Sequence, residues 1–290
     1  MPRALSLLLS TSIFNVPSSL FILISIYHHA RLSQAYNVFI YGGCSQEKYQ
    51  PGPNSPMVSN LNSFLASVVS SSSQALYNSF AIGNGTSIPP EAAIYGLYQC
   101  RGDLKVPDCT GCIRSAVNQI SLVCPYSYGA ALQLEGCYVR YEHVNFLGQL
   151  DTSLRYKRCS KSSENDIEFF RRRDGVLADL KAANGFRVSS SGTVEGFVQC
   201  LWDLSPADCS SCLSEVVGQL KTMCGLAAAG DVFLGQCYGR YWASGYYDFS
   251  KDSSTTSNDQ VGKAVAIIVG SVAGLAVLVV SLSICRKATG

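Results

Sequence analysis

Apolar residues fall into two rhythms along this chain, and each rhythm occurs twice. Met57, Leu61, Phe64, Leu65, Val68 and Val69 recur at spacings of four, three and one, the one-sided stripe of an amphipathic helix. Ile167, Phe170, Leu177 and Leu180 repeat the stripe farther on, interrupted by Arg171 to Arg173, which reads as its solvated side. A second helix per copy is predicted from Ile113, Val117, Ile120 and Val123, and from Leu213, Val217, Leu220 and Met223. Asp108 and Asp208 stand where a carboxylate caps free N–H groups at a helix start. Period-two and aromatic-rich segments predict strands: Tyr36 to Tyr41 before the first helix, then Ala131 to Tyr141 and Val232 to Trp242 crossing a core. Phe80 to Ile88 and Phe186 to Val194 read as a strand pair or as a loop in front of the sheet. The class this predicts is α+β, in two tandem units.

The cysteines make the duplication explicit. Cys100, Cys109, Cys112, Cys124 and Cys137 reappear as Cys200, Cys209, Cys212, Cys224 and Cys237, each one hundred residues later. Gly96, Gln99, Asp103, Tyr138, Arg140 and Tyr141 recur at the same offset as Gly196, Gln199, Asp203, Tyr238, Arg240 and Tyr241. With Cys44 and Cys159 upstream, each copy holds six cysteines, and the thirteenth, Cys285, lies outside both. An even set per module indicates a disulfide framework made in an oxidising compartment. Spacing alone leaves all of the roughly 15 connectivities per module open.

Hydrophobic runs at the two ends predict the address. Arg3, the apolar runs Ala4 to Leu9 and Leu20 to Ile26, and Ser33-Gln34-Ala35 read as a secretory signal over 1–35, the alternative being an uncleaved anchor. Ala264 to Cys285 is uncharged and mostly apolar, about 33 Å as a helix, enough to cross a bilayer. Arg286 and Lys287 follow as a cytoplasmic stop. The expected order is a signal, a first module at 36–146, a second at 147–249, a Ser/Thr-rich stalk at 250–263, a transmembrane helix at 264–285 and a tail at 286–290.

Charge and residue inventory then narrow the chemistry. From Tyr36 to Gln260 there are 17 Lys+Arg against 20 Asp+Glu, which disfavours a nucleic-acid partner. Cys109-x-x-Cys112 and Cys209-x-x-Cys212 resemble redox or half-zinc motifs. Yet His143 is the single histidine after residue 35, so zinc sites and His-based hydrolases lack partners. No Gly-rich phosphate loop stands out, and Glu135 and Glu142 have no supporting catalytic context. The reading is a non-enzyme with no catalytic residue, no metal and no cofactor. Asn84-Gly85-Thr86 is a glycosylation sequon at Asn84. Tyr138, Tyr141, Tyr238 and Tyr241 read as filling the sheet faces, while Trp242, Tyr246 and Tyr247 offer a stacking platform for cell-wall polysaccharide or protein. Ala266, Gly270 and Gly274 form a small-residue stripe suited to a homodimer or a partner membrane helix, and Cys285 is a palmitoylation candidate at the membrane edge.

The spacing Cys-x8-Cys-x2-Cys, present at Cys100/Cys109/Cys112 and again at Cys200/Cys209/Cys212, resembles the plant module called DUF26 or the ginkbilobin-2-homologous (stress-antifungal) domain. Two such modules, one membrane helix and a short tail without a kinase are similar to the plasmodesmata-located proteins. The resemblance implies two helices packed on an antiparallel sheet of about five strands in each module. It also implies the pairs Cys44–Cys124, Cys100–Cys109, Cys112–Cys137, Cys159–Cys224, Cys200–Cys209 and Cys212–Cys237. The mannose-binding relative uses Asn, Arg and Glu at places held here by Ser45, Ala131 and Glu142, and in the second copy by Ser160, Asp231 and Trp242; only Glu142 matches. The implied function is control of cell-to-cell traffic from the plasma membrane at plasmodesmata, through callose deposition. The alternative is a membrane-anchored apoplastic glycan-binding or antifungal module.

Overall fold

The computed structural model describes residues 36–52, 54–85, 89–161 and 166–246. The signal, stalk, membrane helix and tail expected at 1–35 and 250–290, with Tyr247, Ala266, Gly270, Gly274 and Cys285, lie outside them. Among the described residues no helix is long and apolar enough to cross a membrane.

The first module runs β1 (Phe39–Cys44), α1 (Pro56–Ser71), β2 (Tyr77–Ile82), a 3-10 turn (Pro90–Ala92), β3 (Ile94–Cys100), α2 (Val106–Val123), β4 (Ala130–Leu134) and β5 (Cys137–Glu142). The second repeats it as β6 (Leu154–Cys159), α3 (Ile167–Lys181), β7 (Phe186–Ser191), β8 (Val194–Cys200), α4 (Pro206–Met223), β9 (Ala229–Leu234) and β10 (Cys237–Ala243). Each module is one five-stranded sheet, in order β1-β4-β5-β3-β2 and β6-β9-β10-β8-β7. All pairings are antiparallel.

Both helices of a module lie on one face of its sheet. In α1, Met57, Leu61, Phe64 and Val68 are buried, so the predicted stripe faces the core. In α3 the stripe is displaced: Ile167 is 83% exposed, while Phe169 and Val176 join Leu177 and Leu180 inside. The Arg triplet divides for the same reason. Arg171 is exposed, but Arg173 is buried, with its guanidinium 4.9 Å from the Phe170 ring centroid and 5.7 Å from that of Tyr241. Its Nη1 donates to the Gly225 carbonyl and its Nη2 pairs with Asp174 at 3.0 Å, so the buried charge is matched.

The helix starts also differ from expectation. Asp108 and Asp208 sit inside the first turns of α2 and α4, where their charge opposes the positive helix end. The cap of α4 is Ser205, whose hydroxyl accepts from the Asp208 amide at 3.2 Å. Ala131 to Tyr141 and Val232 to Trp242 are hairpins rather than single strands: Glu135-Gly136 and Gly235-Gln236 turn the chain between β4 and β5 and between β9 and β10.

Three disulfides brace each module. Cys112–Cys137 and Cys212–Cys237 tie α2 to β5 and α4 to β10, with Cα atoms 6.0 and 6.1 Å apart. Cys100–Cys109 and Cys200–Cys209 join the end of β3 or β8 to the helix after it. Cys44–Cys124 and Cys159–Cys224 tie the first strand to the end of the second helix. Every bridge stays within its module. Tyr141 and Tyr241 complete the cores: their hydroxyls donate to Ser127 at 3.1 Å, and to Cys224 and Ala227 at 3.1 and 3.0 Å.

Candidate functional site

Strand alternation sends Leu97, Gln99, Tyr138 and Arg140 to the face away from the helices, and Phe197, Gln199, Tyr238 and Arg240 to the same face of the second sheet. These two faces meet. Leu97 and Tyr138 pack with Leu201, while Phe197, Phe233 and Tyr238 pack with Ile40 and Tyr41. Tyr41 lies edge-on to Phe233, with centroids 5.7 Å apart, and Phe233 stacks on Tyr238 at 4.9 Å.

Two buried glutamines tie this seam in equivalent ways. Gln99 Nε2 donates to the Cys200 carbonyl at 2.9 Å, and the Trp202 amide donates to Gln99 Oε1 at 2.8 Å. Gln199 Nε2 donates to the Cys100 carbonyl at 3.0 Å, and the Gly102 amide donates to Gln199 Oε1 at 3.0 Å. A charge network runs beside them. Glu135, in the first hairpin turn, pairs with Arg240 of the second module and with Arg101 at 3.3 Å. Arg240 also holds Asp231 at 2.8 Å, and Arg158 reaches the same carboxylate at 3.1 Å.

The connection between modules is pinned by Asp203 and Gln236. Asp203 Oδ2 accepts from the Gly148 amide at 2.9 Å and from Gln236 Nε2 at 3.1 Å, and Gln236 Oε1 accepts from the Asp151 amide at 3.0 Å. Burial raises the Asp203 pKa above its ordinary value, against these hydrogen bonds and the Arg140 charge, which lower it. Burial also pushes Tyr138 up to about 12. Tyr41 and Tyr238 are raised by burial as well, so these three tyrosines are neutral packing groups.

The residues singled out in the sequence are distributed over several places. Glu142 ends β5 and pairs with Arg140 at 3.3 Å. Trp242 holds the equivalent position in β10, in the other module, and packs edge-on to Phe197 at 5.9 Å. Tyr246 lines a small hollow of about 140 Å³ with Arg158, Ser160 and Asp231. The cleft between the sheets, beside Tyr41, Tyr138 and Phe233, is about 190 Å³. Much of that space is open to solvent, and neither encloses room for more than about one water molecule. Asn84 is exposed in the turn that follows β2. His143 lies 3.8 Å from Glu47, and among the described residues no group of His, Cys, Asp and Glu could hold a metal.

In the sequence Gln99 and Gln199 stand out only as matched positions, and nothing marks Trp202. The signal available was the pairing of an unvarying glutamine with a glycine in one copy and a tryptophan in the other, three residues later.

A tandem of disulfide-braced α+β modules docked sheet to sheet defines a two-module, cysteine-rich protein. The salt stress response/antifungal family matches residues 43–144 and 158–244. Plasmodesmata-located protein 8 of Arabidopsis thaliana is 60% identical over 254 residues, covering 87% of this chain and 90% of that protein. Plasmodesmata-located protein 5 of the same plant is 38% identical over 264 residues, covering 86% and 87%. The crystal structure of the tandem DUF26 ectodomain of the Arabidopsis thaliana cysteine-rich receptor-like protein PDLP8 matches with a TM-score of 0.68 at 60% identity, over 72% of this chain and 100% of that one. This chain belongs to the plasmodesmata-located protein family, and within it is a non-enzymatic, receptor-like protein.

Proposed function

We propose that this chain is a type I membrane protein of plant plasmodesmata that sets cell-to-cell traffic by binding or scaffolding, acting through callose deposition at the channel. The observation that carries the reading is the 60% identity to plasmodesmata-located protein 8, which extends over 87% of the chain. In this reading both modules face the cell wall, 264–285 spans the plasma membrane, and the stripe Ala266, Gly270 and Gly274 packs against a second copy or a related membrane helix. The hydrogen-bonded seam supports a scaffolding role, because docked modules present one surface rather than two independent ones.

The test is a fluorescent fusion of the full chain in leaf epidermis. Expected are puncta at shared walls, more callose staining at those puncta, and slower spread of a diffusible fluorescent reporter into neighbouring cells. Uniform plasma-membrane or endoplasmic-reticulum signal without puncta overturns the address. Puncta without any change in reporter spread overturn the control of traffic.

A further inference from the structure

The two modules are copies, and they differ in charge at one pole. In the second module β6 ends at Cys159, α4 ends at Met223, β9 begins at Ala229 and β10 ends at Ala243. Cys159 lies opposite Gly230 and Trp242 opposite Ala229 in the sheet, and Cys159–Cys224 ties in the end of α4, so all four chain ends gather at the same edge. The described chain also leaves from here, since Tyr246 lines the hollow with Arg158, Ser160 and Ala229.

Counted from the equivalent bridges Cys44–Cys124 and Cys159–Cys224, each residue of this pole has a counterpart in the first module. Lys157, Arg158 and Lys161 stand where the first module has Gly42, Gly43 and Gln46, and Lys221 stands where it has Ser121. The first pole does hold Lys48, but its ammonium is turned onto the Pro125 carbonyl at 3.2 Å and the Ser127 hydroxyl at 2.5 Å, with Glu47 beside it. In the second pole Lys157 and Lys161 are exposed and make no ion pair with a described residue. Arg158 is held by Asp231, and Lys221 lies 3.6 Å from Asp174. Each of those carboxylates already serves a buried arginine, Arg240 or Arg173, so positive charge is in excess. Among these cations Met223 is 38% and Leu226 61% exposed. Their counterparts Val123 and Tyr126 are exposed as well, so the apolar surface is common to both poles and the charge is not.

We propose that this pole of the second module rests on the outer face of the membrane, with Lys157, Lys161 and Lys221 on phosphate-bearing lipid headgroups and Met223 and Leu226 at the boundary between headgroups and acyl chains. The inference rests on the membrane-anchored reading given above. Two observations name the lipid surface as the occupant. Seventeen residues, 247–263, separate Tyr246 from Ala264, a tether of at most about 60 Å that starts at the pole itself. The excess cations belong to the tethered copy and are missing from the other, as an anionic surface on that side requires. Each Lys or Arg brought to such a surface strengthens attachment about fivefold, and the tether makes the contact intramolecular, so a few cations suffice. With the seam docked, contact at this pole fixes how both modules stand on the membrane.

The full-length protein is reconstituted in nanodiscs of phosphatidylcholine, or of two parts phosphatidylcholine to one part phosphatidylglycerol, with brominated acyl chains as the quencher. Trp202→Phe and Trp242→Phe remove both native indoles. In that background Leu226→Trp reports the pole, and Tyr126→Trp reports the equivalent exposed position of the first module. Expected in the phosphatidylglycerol discs is quenching of Leu226→Trp at least about fivefold stronger than that of Tyr126→Trp, lost at high salt and on combining Lys157→Glu, Lys161→Glu and Lys221→Glu. The salt series needs no charge variant, so the charge test stands even where the reversals weaken folding. The proposal is overturned if Leu226→Trp is quenched no more than Tyr126→Trp, or if its quenching survives high salt. An oligogalacturonide that shifts the Leu226→Trp emission in pure phosphatidylcholine discs assigns the pole to an acidic polysaccharide and overturns it too. A chain washed from the discs by alkaline carbonate overturns the anchor and this contact together, whereas a chain that stays inserted with an unquenched indole overturns the contact alone.

Discussion

Gln99→Leu tests the seam most directly, because the residue is buried and its amide serves nothing except the other module. Leucine keeps most of the volume and removes both hydrogen bonds. Each bond contributes about 1 kcal/mol net, and a buried acceptor such as the Cys200 carbonyl left without its donor adds about 1–3 kcal/mol. The summed loss is about 3–5 kcal/mol, assigned to docking rather than to either core. For a folded region of this size, about 1 kcal/mol moves the melting temperature by about 2–4 °C, so the drop is about 6–20 °C. The disulfides leave each module its own framework, so the loss appears as a low-temperature step in which the sheets part before the modules melt. Hydrogen exchange reads this step by residue: the Trp202 amide loses protection, while amides inside α2 and α4 keep theirs. Gln99→Leu combined with Gln199→Leu costs less than the sum of the singles, since a seam opened by the first has little left for the second to hold. A melting temperature within about 1 °C of the parent, together with unchanged protection at Trp202, refutes this account of the seam.

Three further outcomes follow from the same geometry. Asp203→Asn reports the raised carboxyl: protonation of Asp203 favours the folded state, so the parent holds that stability below the unfolded pKa and loses it as pH rises through the folded one. The melting-temperature difference, variant minus parent, therefore shrinks as pH falls from 7 through the ordinary carboxylate range in a differential scanning series; a difference that grows instead contradicts the shift. Gly96→Ala drives a Cβ to 2.4 Å from the Phe64 ring and 2.9 Å from the Arg140 carbonyl, and costs about 1–3 kcal/mol in denaturant unfolding. Arg173→Met keeps the stem that packs near Tyr241 but leaves the Gly225 carbonyl without its donor, and lowers stability by about 1–3 kcal/mol, whereas Arg171→Met, at an exposed position, leaves the unfolding midpoint unchanged.

The module plan was legible because helix stripes and cysteine intervals are local patterns, and both occur twice with the same spacing. Met57, Leu61, Phe64 and Val68 announce a buried face from their spacing alone. The α3 face departs from its hydropathy pattern because burial there follows the sheet: Arg173 enters along aromatic rings and ends on a backbone carbonyl, and carbonyls leave no mark in a sequence. The two hairpin turns leave little mark in the sequence because Glu135 and Gln236, which look like polar interruptions of an apolar run, are turn residues with partners across the seam or in the linker. Glu142 and Trp242, both expected on a ligand surface, hold equivalent positions that the duplication separates into two modules. Gln99, Gln199 and Trp202 could not be assigned from sequence, since their roles arise only when two separately folded sheets meet.

All six bridges close within their own module, and none crosses the seam. The molecule therefore has two kinds of permanence. Inside a module, shape is set by oxidation and survives until a thiol undoes it. Between modules, shape is an equilibrium held by side chains, open to mutation, pH and ligand. The first module can finish its chemistry while the second is still being synthesised, because everything it needs lies upstream of the second set of cysteines. The way the halves meet can therefore differ from copy to copy, glycine at 102 and tryptophan at 202, without touching the thiol pairing that keeps either half folded.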